Sequence, residues 1–149
     1  MKSLQVLRDR QYGAALGAAP FFWCAFALVR APTPELLWPL ADPLRFLLPA
    51  LVYPVLEEAS FRGLLQPILW RRPWGQRQWH GVSAANVVTA MLFSASHLLW
   101  HSGAQALAVL LPGLVFGYFR DRYGRIAPSV ALHIFYNFGF VWLFTGPAH

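Results

Sequence analysis

Cysteine is nearly absent: Cys24 stands alone in 149 residues, which excludes an internal disulfide and a thiolate metal cluster. Charge is scarce too, at 12% of residues against about 25% in a typical soluble domain. Between Arg77 and Arg120 there is no Asp, Glu, Lys or Arg at all. A hydrocarbon span takes about 20 apolar residues, so that stretch alone has room for two. No internal repeat or low-complexity tract marks a second domain, and the chain reads as one membrane domain over residues 1–149. The net charge of +6 comes without a nucleic-acid reader motif or a clustered basic face, which removes nucleic acid as a partner.

What is present is apolar: 57% hydrophobic residues. Five apolar segments emerge, about Tyr12 to Val29, Phe46 to Trp70, Val82 to Trp100, Ala104 to Phe119 and Ile126 to Thr145. Pro-rich, basic, hairpin-like and Gly-containing connectors separate them. The expected fold is therefore all-α, a polytopic bundle of about five transmembrane helices. The basic start (Lys2, Arg8, Arg10) before Gly13 to Val29 resembles a signal peptide, but the run exceeds the usual h-region of about 7–15 residues, and Pro32 directly follows the candidate site at Ala31. It reads as a retained first span, with Cys24 packed inside it.

Lys and Arg segregate by side. Lys2, Arg8, Arg10, Arg71, Arg72, Arg77, Arg120, Arg122 and Arg125 fall on one side, and only Arg30 and Arg45 on the other. Positive residues favour the cytoplasmic loops, so the N-terminus is expected inside and the C-terminus outside. Tyr12, Trp70, Trp74, Trp79, Tyr118 and Tyr123 fall at the inner boundary and Trp38, Trp100 and Trp142 near the outer one; Trp23 fits neither belt.

An ionisable residue inside a span costs about 2.5–3.5 kcal/mol on insertion scales and marks a functional site by default. Glu57, Glu58 and Arg62 interrupt the second segment, His97 lies in the third, and His133 with Asn137 in the fifth. With a rise of about 1.5 Å per residue, Glu57 and Asn137 fall near the midplane, His133 about 5 Å inward and His97 about 9 Å outward. One shared polar pocket is compatible with those depths. Glu58 and Arg62 are an i,i+4 pair in the favourable orientation, and Glu57 points about 100° away from them. A carboxylate in an apolar surrounding suits a general base. His133 and Asn137, four apart, project from one helix face, and both can donate hydrogen bonds to an oxyanion. Pro49, Pro54 and Pro67 also sit in the second segment, where a break near Pro54 would admit water to Glu57.

Glu57-Glu58-Ala59-Ser60-Phe61-Arg62 reads as E-E-x-x-x-R, Phe93 to His97 as F-x-x-x-H, and His133 to Asn137 as H-x-x-x-N. In that order, one per helix, the three motifs resemble the CPBP family of CAAX proteases and bacteriocin-processing enzymes, in its short bacterial form. The match covers about residues 48–144. The resemblance implies a glutamate-type intramembrane endopeptidase in which Glu57 activates water, His97 assists, and His133 and Asn137 hold the oxyanion. Glu58, Arg62 and Phe93 would support the site. It implies a membrane-associated protein or peptide as substrate, some short members processing C-terminal sorting tails, and the bacterial cytoplasmic membrane as the location.

Glu57, His97 and His133 formally offer a His₂Glu zinc set, but H-E-x-x-H is absent and Asn is not a usual zinc ligand, so no metal or other cofactor is expected. His80, His101 and His149 read as boundary histidines. Gly13, Gly17, Ala84, Ala85, Ala95, Gly113 and Gly117 read as close helix-packing positions, and Phe61 as packing around the site. Two rivals remain: a proton-coupled carrier, against which the lack of an inverted repeat counts, and a non-catalytic immunity or partner-stabilising membrane protein.

Overall fold

The computed structural model describes Val6 and residues 8–147; Lys2 and His149 lie outside them. Helices α1 (Arg10–Ala27), α2 (Trp38–Ala41) and α3 (Pro43–Leu47) lead to a π-helical segment, Leu48–Val52. Helix α4 (Tyr53–Glu58), a second π-helical segment (Ala59–Leu65) and α5 (Gln66–Trp70) follow. Strands β1 (Gln78–Trp79) and β2 (Val82–Ser83) form a small antiparallel hairpin. Then come α6 (Ala84–Ser96), a 3₁₀ turn (His97–Leu99), α7 (Gly103–Ala108), α8 (Leu110–Tyr123) and α9 (Ala127–Phe144). The fold class is all-α. Two stretches, Gly103–Tyr123 and Ala127–Phe144, are long and apolar enough to cross a membrane, and Ala84–Leu99 is apolar but shorter.

Local chemistry sets the helix ends. Asp9 caps α1 by accepting from the Gln11 N–H at 2.9 Å, and Asp42 caps α3 by accepting from the Arg45 N–H at 3.1 Å. Pro43 occupies the first turn of α3, where its missing N–H costs nothing. The second apolar segment therefore turns helical ahead of Phe46, where it was expected to begin. Gly124, at φ +66°, closes α8 in the left-handed conformation that favours glycine.

The prolines do not break the helix. The Tyr53 N–H, just before Pro54, donates to the Leu48 carbonyl, and the Gln66 N–H, just before Pro67, donates to the Phe61 carbonyl. Each bond spans five residues instead of four. A proline ring collides with the carbonyl four residues back, and a widened turn relieves that collision while keeping the chain helical. The expected break near Pro54 is thus replaced by two π turns flanking α4, which carries Glu57.

The chain divides into two compact units, one of residues up to Leu56 together with Ala131 onward, the other Glu57–Val130. In the first, residues 131–144 of α9 pack on α1 through Phe26–Phe144 (ring centroids 4.9 Å apart) and Trp23–Phe135 (5.3 Å). They pack on α3 through Phe46–Phe138, 4.9 Å apart and near perpendicular. Trp38, Phe46, Ala50 and Val141 form its buried centre. Trp38, expected in the outer aromatic belt, is core instead, its indole N–H donating to the Trp142 carbonyl at 2.9 Å. Trp23, which fitted neither belt, lies against Gly139, where any side chain would collide with the indole.

In the second unit α6 runs antiparallel to α8 and to the α7 before it, Ser83 meeting Asp121 and Asn86 meeting Leu114 on α8, and Ser94 meeting Ala106 on α7. The Ala59–Trp70 stretch packs on α8 one turn at a time: Arg62 reaches the Gly113 carbonyl at 2.9 Å and Gln66 the Gly117 carbonyl at 3.0 Å. Gly113 and Gly117 are close-packing positions, as expected. Gly13 and Gly17 face open space among the described residues. Ala95 and Cys24 are likewise exposed rather than packed. All four sit on helix faces that present no partner element for them within the described chain, so residue size alone misleads there.

Candidate active site

Glu57 and His97 belong to the second unit, His133 and Asn137 to the first. In the second, Glu58 and Arg62 form the i,i+4 ion pair that their spacing predicts, with Nη1 to Oε1 at 3.0 Å and both side chains fully buried. Arg62 is held by more than Glu58. Its other terminal nitrogen donates to the Gly113 carbonyl, its guanidinium carbon lies 4.5 Å from the centre of the Phe93 ring, and its own carbonyl accepts from Arg120 Nε at 3.0 Å.

Glu57, on α4, is half-buried, and its charge also acts on Arg62. The two carboxylates therefore share one cation electrostatically, so the separation read from helix geometry is incomplete. Phe93 connects this group to His97: its ring stands edge-on to Phe61 at 5.2 Å and to His97 at 4.6 Å.

His97 opens the 3₁₀ turn after α6, and its Nδ1 lies 2.8 Å from the Phe93 carbonyl. A carbonyl can only accept, so Nδ1 carries the proton, and Nε2 of the neutral ring is the acceptor. An acceptor nitrogen is what a water-orienting histidine needs. His101 stacks on His97 with ring centroids 5.7 Å apart and is exposed. His80 is exposed in the hairpin turn.

In the first unit His133 is buried, at 4% exposure. Asn137 is half-buried and donates through Nδ2 to the Pro49 carbonyl at 3.1 Å. An Asn amide carries two N–H donors, so one bond fixes its orientation while the second N–H stays available. Among the described residues no three His, Cys, Asp or Glu side chains lie so as to hold a metal ion together.

The family described as Type II CAAX prenyl endopeptidase Rce1-like matches residues 38–139, more than half of the chain. The chain belongs to this family. The match encloses Glu57, His97, His133 and Asn137. The Rce1-like family is membrane-embedded, in keeping with the two apolar stretches that end at Tyr123 and Phe144. Neither a curated protein nor a solved structure matches the chain.

Sequence reasoning missed the polar layer beneath this Rce1-like motif. Gln66, Ser83, Asn86 and Thr89 are fully buried. Gln66 Nε2 donates to Asp121 at 2.8 Å and the Ser83 hydroxyl to the same carboxylate at 2.6 Å. Asn86 Nδ2 donates to the Leu114 carbonyl at 2.9 Å. A signal existed: Glu58, Arg62 and Gln66 recur every four residues, a polar stripe on one helix face that meets Gly113 and Gly117 at the same period. The residues on α6 give no such hint, because Asn86 and Thr89 stand among small and apolar neighbours.

Proposed function

We propose that the chain is a glutamate-type intramembrane endopeptidase that hydrolyses a peptide bond of a membrane-associated protein or peptide. The observation that carries this reading is membership of a CAAX prenyl endopeptidase family over a segment enclosing all three motifs. Glu57 takes a proton from water, and the resulting nucleophile attacks the scissile carbonyl. His97, its Nε2 acceptor set by the Phe93 bond, orients that water, then receives the proton from Glu57 on Nε2 and passes it to the leaving amine. His133 and Asn137 are the oxyanion donors by motif, and the second N–H of Asn137 is suited to that role. The reaction needs no metal or other cofactor. We place the enzyme in the bacterial cytoplasmic membrane with five spans, N-terminus inside and C-terminus outside, acting on substrates such as C-terminal sorting tails.

Cleavage of candidate membrane substrates in liposomes by wild type and Glu57→Gln tests the reading. With both proteins equally folded, the variant is expected to lose at least about a hundredfold in turnover. Equal cleavage by the two would remove Glu57 as the base. Asn137→Ala is expected to lower turnover by about 10²–10³, the usual loss for one oxyanion donor; an unchanged rate would take Asn137 out of the mechanism.

A further inference from the structure

The inner basic residues of the second unit are not spread around it. Asp121, near the end of α8, accepts from Ser83 at 2.6 Å and from Gln66 at 2.8 Å. Those two bonds tie the end of α8 to the start of α6 and to α5. The loop from Arg71 to Gln78 and the charged end Arg120 to Arg125 therefore share one end of the unit. Asp121 is the only carboxylate residue after Glu58 in the sequence, and both its oxygens are engaged by these internal donors. Asp121 is the one acid in these two segments against Arg71, Arg72, Arg77, Arg120, Arg122 and Arg125, and its charge acts on Arg120, so positive charge is in excess at this end.

Arg71, Arg72 and Arg77 are exposed and take part in no ion pair among the described residues. The loop that carries them is nonetheless ordered by backbone bonds: Gly75 N–H to the Arg72 carbonyl at 2.9 Å, Ala84 N–H to Arg77 at 2.8 Å and Ala85 N–H to Gly75 at 3.1 Å. His80 and Gly81, at φ +48° and +81°, make the two-residue hairpin turn in which both central residues need positive φ. That turn rests against Tyr118. It presents Trp79 at 77% exposure, and Trp74 is exposed nearby in the same loop.

A soluble anion would engage the arginines and leave two indoles in water. Indoles beside guanidinium groups suit a ligand whose phosphate adjoins hydrocarbon, since Trp settles at the headgroup level and arginine is attracted to an anionic leaflet. The apolar stretch Gly103–Tyr123 ends here, and Ala127–Phe144 begins just beyond it in sequence, which brings a bilayer surface to this end. We propose that this end of the second unit is a binding surface for anionic phospholipid headgroups, held by Arg71, Arg72 and Arg77 and anchored by Trp74 and Trp79. The proposal stands apart from the peptidase reading.

Thermal unfolding of the purified full chain in detergent, titrated with phosphatidylglycerol, phosphatidylcholine or inorganic phosphate, tests it. Phosphatidylglycerol is expected to raise Tm in a saturable, salt-sensitive way, with phosphatidylcholine and phosphate giving little. Each arginine replaced in Arg71→Gln, Arg72→Gln and Arg77→Gln is expected to weaken half-saturation by roughly fivefold. Trp79→Ser, which keeps every charge, is expected to weaken it as well. Equal shifts with the two lipids, a full shift with phosphate alone, or an unaltered response in the triple variant would each overturn the proposal. Capture of an acidic peptide in preference to the lipid would also overturn it.

Discussion

The two units solve the packing problem with different chemistry. Residues up to Leu56 with 131 onward are joined by aromatic rings, Phe26 on Phe144, Trp23 on Phe135 and Phe46 on Phe138, and their side-chain hydrogen bonds mostly end on backbone carbonyls. Glu57–Val130 instead buries an ion pair and several amides and hydroxyls, stacked against glycines on α8. An aromatic contact tolerates small displacements, because dispersion is summed over many weak pairs. A buried guanidinium does not, since a lost partner leaves a charge in a low-dielectric site. The unit that contributes Glu57 and His97 is therefore the one with the stricter geometric demand.

Arg62→Met is the strongest way to break this contrast. Removing one member of a buried pair typically costs about 3–5 kcal/mol, and Glu58 would be left with its carboxylate buried. Unfolding in detergent should register that loss, and Glu58→Leu combined with Arg62→Met should recover most of it. If the double variant is no better than the single one, the pair is not the source of the loss.

Gly117→Ala comes next. A methyl group there would collide with the Asn86 side chain and crowd Gln66 Oε1, and overpacking of this kind costs about 1–3 kcal/mol. Gly13→Ala, facing open space, serves as the matched control and should not destabilise the protein. Equal losses at the two sites would mean that glycine is needed for backbone freedom rather than for close approach.

The smallest effect belongs to the aromatic unit. Trp38→Phe keeps a ring against Phe46 and removes the 2.9 Å bond to the Trp142 carbonyl, a loss of about 0.5–1.5 kcal/mol, to which the smaller buried ring adds a cavity cost. A loss as large as that of Arg62→Met would erase the distinction between the two units.

One supporting feature of the candidate site, its buried ion pair, was legible in the sequence. The Glu58–Arg62 pair follows from a spacing of four and the order acid before base, both properties of one helix. The orientation of His97 was not legible, because its Nδ1 bond depends on the chain tightening into a 3₁₀ turn at the end of α6. The prolines misled for a related reason. Sequence shows that an N–H is missing, but the choice between a broken helix and a π turn depends on whether neighbouring backbone groups find partners. At Tyr53 and Gln66 they do, five residues back.

By itself the sequence determined the apolar periodicity, the helical class, the scarcity of charge across the middle of the chain and the order of the three motifs, because these depend on residue type and short spacing along one helix. Only the tertiary structure decided that Gly113 and Gly117, but not Gly13 and Gly17, mark a close approach. It alone turned Asp121 inward against Ser83 and Gln66, gathered Arg71 to Arg77 with the end of α8, and made Trp38 a core residue. Each of these rests on contacts between residues far apart in the chain, whose partners no local pattern specifies.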